Sequence, residues 1–78
     1  MITGYKIGTD VKWNEENTLT TGVIEQVFYQ PTTALVNGQE CSIAVSEKSP
    51  TYLVRHHDGK QLVLRHVDVM KEHTNHHT

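Results

Sequence analysis

The chain reads as an all-β domain, a small antiparallel barrel of five or six strands finished by a short C-terminal helical turn. Three observations predict this. Two apolar, β-branched runs, Tyr52 to Arg55 and Gln61 to Leu64, flank a turn at Asp58-Gly59. Two more, Thr32 to Val36 and Cys41 to Val45, flank Asn37-Gly38, the dipeptide that accepts the positive φ angles of a type I′ hairpin turn at least cost. Val11-Lys12-Trp13 alternates apolar, polar, apolar, as a half-buried strand does.

Taken in order, Tyr5 to Asp10 forms a turn with Gly8 as its flexible point, and Val11 to Trp13 is the first strand. The polar stretch Asn14 to Thr21 reads as a loop or distorted turn with Glu15, Glu16 and Asn17 facing solvent. Gly22 to Tyr29 is the longest β-prone run. Ile24 and Val27 stand three apart in it, which breaks the two-residue period and predicts a bulge or sharp bend. Pro31 ends that run, since it carries no donor for a ladder. Asp58-Gly59 repeats the Asn37-Gly38 device. In the last piece, His66 to Glu72, Val67 and Met70 stand three apart and predict a helical turn closing one end of the barrel. The buried set predicted from these patterns is Val11, Trp13, Ile24, Val27, Tyr52, Val54, Val63 and Val67. Residues 1–72 form one domain, and the polar His73 to Thr78 is a frayed His-rich tail.

Composition narrows the function. Seventy-eight residues allow one small core and no separate catalytic domain. The formal net charge is −2, from seven Lys and Arg against nine Asp and Glu, whereas nucleic-acid binders rely on a basic surplus or stripe. The basic residues are scattered, and only Arg55, Lys60 and Arg65 gather around one hairpin as a candidate nucleic-acid contact. Cys41 is the sole cysteine, so no intramolecular disulfide forms, which suits a reducing compartment. The N-terminus has no apolar signal core, and no run approaches the roughly 20 apolar residues of a membrane span. A soluble cytoplasmic protein is the expectation.

A set of residues is then distinctive: Gly8, Val11-x-Trp13, Gly22-x-Ile24, Ser46-Glu47 leading to Pro50-x-Tyr52-Leu53-Val54, Asp58-Gly59 and His66. Together they resemble the hypervirulence-associated protein Tudor-like domain family of bacteria and fungi, over roughly residues 5–71. The Ser-Glu-x-x-Pro-x-Tyr-Leu-Val block, followed closely by Asp-Gly, is its most specific part. The resemblance implies a Tudor-like, SH3-like barrel without established enzymatic activity, and leaves the ligand open. The Asn14 to Thr21 segment lacks the glycines expected of the family there, and the His-rich tail lies outside its pattern.

Four candidate sites follow. Ligand-binding Tudor barrels use aromatic cages, whose ring faces attract an ammonium group. Trp13, Tyr52 and Tyr29 supply the rings here and Glu15, or Glu16, the counter-charge; the competing reading is that these rings are simply core. His56, His57 and Asp58 near Ser46 or Ser49 suggest a triad. Asp58 already has a turn role before Gly59, and neighbouring strand residues face opposite ways, so catalysis is not predicted. His73, His76 and His77 have helical chelate spacing without a Cys pair or carboxylate cluster to complete a site. Cys41 reads as a small apolar packer. Finally, the Thr32 to Val45 hairpin offers an edge for strand addition by a partner or a second copy, unless Lys48 and Pro50 protect it. The sequence therefore predicts a non-enzymatic module, monomeric or weakly self-associating and without cofactor. It binds a protein or peptide through the aromatic end or the hairpin, with nucleic-acid binding as the alternative.

Overall fold

The structure, a computed structural model, describes residues 3–72. It contains β1 (Asp10–Glu15), β2 (Thr18–Phe28), β3 (Thr32–Val36), β4 (Gln39–Ile43), β5 (Thr51–His56), β6 (Gln61–Arg65), a 3-10 turn (His66–Asp68) and β7 (Met70–Lys71). Five strands form one antiparallel sheet in the order β6-β5-β2-β1-β7, and β3 and β4 form a separate two-stranded sheet. The second sheet is inserted in the connection between β2 and β5.

The segment read as a loop from Asn14 to Thr21 is mostly strand. β1 continues to Glu15 and β2 begins at Thr18, with Trp13 opposite Thr20 and Asn14 opposite Leu19. Threonines at 18, 20 and 21 favour the pleated conformation, so the turn shrinks to Glu16 and Asn17. Both have positive φ, 49° and 67°, as the central residues of a type I′ turn require. β2 is long because it serves two neighbours. It pairs with β1 up to Val23 and with β5 from Gly22 onward. The register slips between Ile24 and Gln26, so Glu25 is the extra residue of the bulge that the Ile24/Val27 spacing predicts. Gly22 sits where the two pairings overlap. A Cβ there would stand 2.5 Å from the Arg55 carbonyl oxygen and 2.9 Å from the Trp13 ring.

The loop between β5 and β6 departs from a repeat of the Asn37-Gly38 turn. Gly59 N–H donates to His56 O and His56 N–H to Lys60 O, which encloses three residues, with Gly59 at φ 98°. This is the other common hairpin loop, a turn followed by a left-handed residue.

One face of the sheet carries the main core: Val11, Trp13, Ile24, Tyr52, Val54 and Val69, with Tyr5, Val27, Leu62 and Leu64 packed against it. Two predicted core residues belong outside it. Leu62 and Leu64 face inward opposite Val54 and Tyr52, so Val63 between them faces outward and is 39% exposed. Val67 lies on the outer side of the 3-10 turn at 68% exposure, and Val69 enters the core instead. Val27 is half-buried.

Leu53 points away from this core, yet it is buried, as is Ile43 of β4. The β3–β4 hairpin explains this. Ala34, Val36, Cys41 and Ile43 alternate onto its shielded side, and Thr33, Leu35, Glu40 and Ser42 face solvent. A cleft of about 640 Å³ between the hairpin and the sheet is lined by Leu53, Phe28 and residues 32–35. The hairpin thus covers the second face of the sheet over β2 and β5.

Candidate functional site

Two ends of the sheet gather chemistry. At the first, the β1–β2 and β5–β6 turns come together. Gly22 pairs with His56, and the absent side chain lets the Trp13 ring reach beneath. The Trp13 and His56 rings meet edge to face at 6.1 Å, and His56 and His57 lie 4.1 Å apart. Asp58 N–H donates to His56 Nδ1 at 3.1 Å, and Asp58 Oδ1 lies 3.0 Å from the same nitrogen. His56 Nε2 lies 3.9 Å from Glu15 Oε1. The Lys60 N–H donated to Asp58 Oδ1, joined by the charge of His56, holds the Asp58 carboxyl below its ordinary range. Beside this cluster lies a cleft of about 420 Å³, lined by Gly22, Val23, His56 and His57 and flanked by Asp10 and Glu72.

At the opposite end, Tyr52 is fully buried. Its hydroxyl accepts the Tyr5 N–H at 2.9 Å and shares a hydrogen bond of 2.6 Å with His66 Nδ1, and the Tyr5 ring stacks on it. Tyr29 accepts the Gly4 N–H. Glycine is needed at position 4, where a Cβ would fall 2.7 Å from Pro50 and 2.8 Å from the Tyr52 oxygen. Burial pushes the Tyr52 phenol above its ordinary pKa. The rings read from sequence as one aromatic end are therefore divided. Trp13 and Glu15 belong to the first end, Tyr52 and Tyr29 to the second, with the rise of β5 between them.

The three basic residues of the candidate nucleic-acid contact each lie beside an acid. Arg55 Nε binds Glu25 Oε2 at 2.6 Å, Lys60 lies 3.9 Å from Asp58, and Arg65 Nε binds Asp68 Oδ2 at 2.9 Å. Arg55 and Lys60 share the β5–β6 hairpin, whereas Arg65 stands at the far end of β6 opposite Thr51. The serines adjoin the start of β5, where Thr51 Oγ1 donates to Ala44 O. His56 closes β5 and Asp58 lies just past its end, roughly 16 Å away at the rise of an extended strand. Ser49 is buried and Ser46 Oγ accepts the Lys48 N–H, so no triad assembles. Among the described residues, no group of three His, Cys, Asp or Glu is arranged to hold a metal ion. His73, His76 and His77 lie outside the described residues. Nor is any described helix long and apolar enough to cross a membrane.

One functional group was invisible as such in the sequence. Asn37, read only as a turn residue, clamps the hairpin tip to β6. Its Nδ2 donates to Gln61 O at 2.9 Å, and its Oδ1 accepts the Gln61 N–H at 2.8 Å. Gln61 passes the contact on to Glu25 through Nε2 at 2.7 Å. Hydrogen bonds from Gln61 and Arg55 hold the Glu25 carboxyl below its ordinary range.

The strand order, with a 3-10 turn ahead of the last strand, defines a class: small all-β domains in which the last strand of a five-stranded antiparallel sheet returns to pair with the first. Within it, the family described as Hypervirulence associated proteins TUDOR domain matches residues 8–66, and the chain belongs to that family. No curated protein and no solved structure matches the chain.

Proposed function

We propose that this domain is a non-enzymatic interaction module that binds a protein or peptide at the end formed by the β1–β2 and β5–β6 turns. One observation carries the reading. Trp13, His56 and His57 stand ring against ring, the first pair edge to face, beside Glu15 and next to an open cleft with apolar Val23 in its lining and carboxylates of Asp10 and Glu72 at its side. Rings and an apolar lining with acidic neighbours suit a side chain with an apolar stem and a positive head. The opposite end is less suited, because Tyr52 has both its hydrogen bonds made and no exposed face.

The sheet order, the 3-10 turn and the inward core support closure into a Tudor-like, SH3-like barrel, with residues 1–72 as the domain and 73–78 as an appended tail. A cytoplasmic setting accords with the single thiol of Cys41. The pairing of Arg55, Lys60 and Arg65 with carboxylates weighs against the nucleic-acid reading, since a paired guanidinium has less to offer a phosphate.

Amide-shift titration by NMR tests the proposal, using methyl-lysine peptides and short DNA at low and high salt. The expected result is perturbation at Trp13, Glu15, His56 and His57 by peptide, with modest salt dependence. DNA-induced shifts at Arg55, Lys60 and Arg65 that collapse steeply with salt would overturn it.

A further inference from the structure

The hairpin tip is held to the five-stranded sheet by one amide group that has two opposite roles. Asn37 Nδ2 is a donor toward Gln61 O, and Oδ1 is an acceptor toward Gln61 N–H. Asn37 N–H adds a third bond, to Gln61 Oε1 at 2.8 Å. No ladder joins the two sheets among the described residues, so the clamp has no backbone pairing behind it. The same asparagine is followed by Gly38, at φ 81°, with nothing within 4 Å of where a side chain would begin. Both residues are exposed.

We propose that Asn37 is a deamidation site and that its conversion releases the β3–β4 hairpin from the sheet. The backbone nitrogen of Gly38, having lost its proton to solvent base, attacks Asn37 Cγ. The new N–Cγ bond closes a five-membered succinimide, and the Cγ–Nδ2 bond breaks with ammonia as the leaving group. Water then opens the ring. Attack at Cγ gives aspartate, and attack at the main-chain carbonyl gives isoaspartate, in which the chain runs through Cβ. One water is consumed and one ammonia released, with no change of oxidation state. Gly38 places no side chain in the path of ring closure. Asn14 and Asn17, followed by Glu15 and Thr18, meet a crowded successor.

The consequence follows from the polarity of the clamp. A carboxylate accepts and does not donate. Aspartate at position 37 keeps a partner for Gln61 N–H but turns an anionic oxygen toward Gln61 O, and leaves that carbonyl unpaired. Isoaspartate also lengthens the turn and spoils its geometry. In the docked hairpin the Asn37 side-chain amide is bonded to Gln61 through both its nitrogen and its oxygen, so the reaction proceeds through the undocked tip. The product does not redock, which makes the release one-way. It uncovers the face around Leu53, only 3% exposed while the hairpin is closed.

The test incubates the full chain in mildly alkaline buffer and follows each asparagine by peptide mass spectrometry, resolving aspartate from isoaspartate. Asn37 is expected to convert ahead of Asn14 and Asn17. Hydrogen exchange is then measured on Asn37→Asp and on the aged wild-type fraction separated by charge. Hairpin amides from Thr33 to Cys41 are expected to exchange about tenfold faster or more, with β1, β2 and β5 still protected. The aged fraction keeps the test decisive if the variant folds poorly. Conversion of Asn37 no faster than that of Asn14 and Asn17 overturns the proposal. So does wild-type hairpin protection in the converted protein.

Discussion

The Tyr52 hydroxyl is hydrogen-bonded to His66 Nδ1 across 2.6 Å. The same oxygen accepts the Tyr5 N–H, so one phenol joins the start of the chain, the middle of β5 and the 3-10 turn. Tyr52→Phe removes a hub and strands both partners, and is expected to cost about 1–3 kcal/mol. Urea unfolding monitored by Trp13 fluorescence measures it. A loss within error would mean that water satisfies both groups.

Alkaline pH acts on the same residue. Burial raises the folded pKa of Tyr52 above its ordinary value of 10.0. In the unfolded chain the phenol ionises first, so stability is full below that value and falls as pH rises through the folded pKa. Phenolate absorbance should show one tyrosine titrating late and together with unfolding, and Tyr52→Phe should abolish that late component.

Glu25 works in the opposite direction. Its folded pKa lies below the ordinary 4.5, first through Gln61 and then through Arg55. Its contribution is present above 4.5 and disappears as pH falls through the folded value. Glu25→Gln is therefore expected to flatten the acid limb of the stability curve and leave the alkaline limb unchanged. Denaturation midpoints measured across pH check both limbs.

Gly22→Ala tests the crossing of β2 over its two neighbours. The added methyl meets the Arg55 carbonyl and the Trp13 ring, and the carbonyl belongs to a paired strand with little freedom to yield. A loss of about 1–3 kcal/mol is expected, with a change in the His56 ring resonances. A small loss with unchanged resonances would show that β2 can slide away from β5.

Stabilisation is available at Glu16. It holds φ 49° without a side-chain reason, and a left-handed conformation costs a non-glycine residue about 1–2 kcal/mol. Asparagine bears this more easily, so Glu16→Asn is expected to add about 0.5–1 kcal/mol, measured as a higher thermal midpoint. A lower midpoint would assign Glu16 a contact role in the folded state.

Much of the fold is legible where a local rule decides. Asn37-Gly38 makes its turn, Ile24 and Val27 announce their bulge, and Val11, Trp13, Tyr52 and Val54 alternate into the core. Leu62-Val63-Leu64 is different, because an unbroken apolar run does not state its phase and a one-residue slip exchanges its faces. Leu53 is buried for a reason no strand pattern records, since a hairpin from elsewhere in the chain covers it. The site divides the same way. Trp13 and Glu15 are recognisable as residue types. Their meeting with His56 depends on Gly22 lying opposite His56 across two strands. Tyr52 lies at the other end because three residues of β5, Leu53 to Arg55, separate it from His56.

The inserted hairpin also bears on how fast the chain finds its shape. Pairing β2 with β5 requires closing the connection at residues 29–50, the costly step in a topology of non-local contacts. A turn as local as Asn37-Gly38 allows β3 and β4 to zip within microseconds. Once zipped, they shorten the slack that must be closed, since loop entropy depends on the length left free. The hairpin is then an early kinetic splint for β2 and β5. Slower refolding, rather than faster unfolding, would be the mark of weakening its turn.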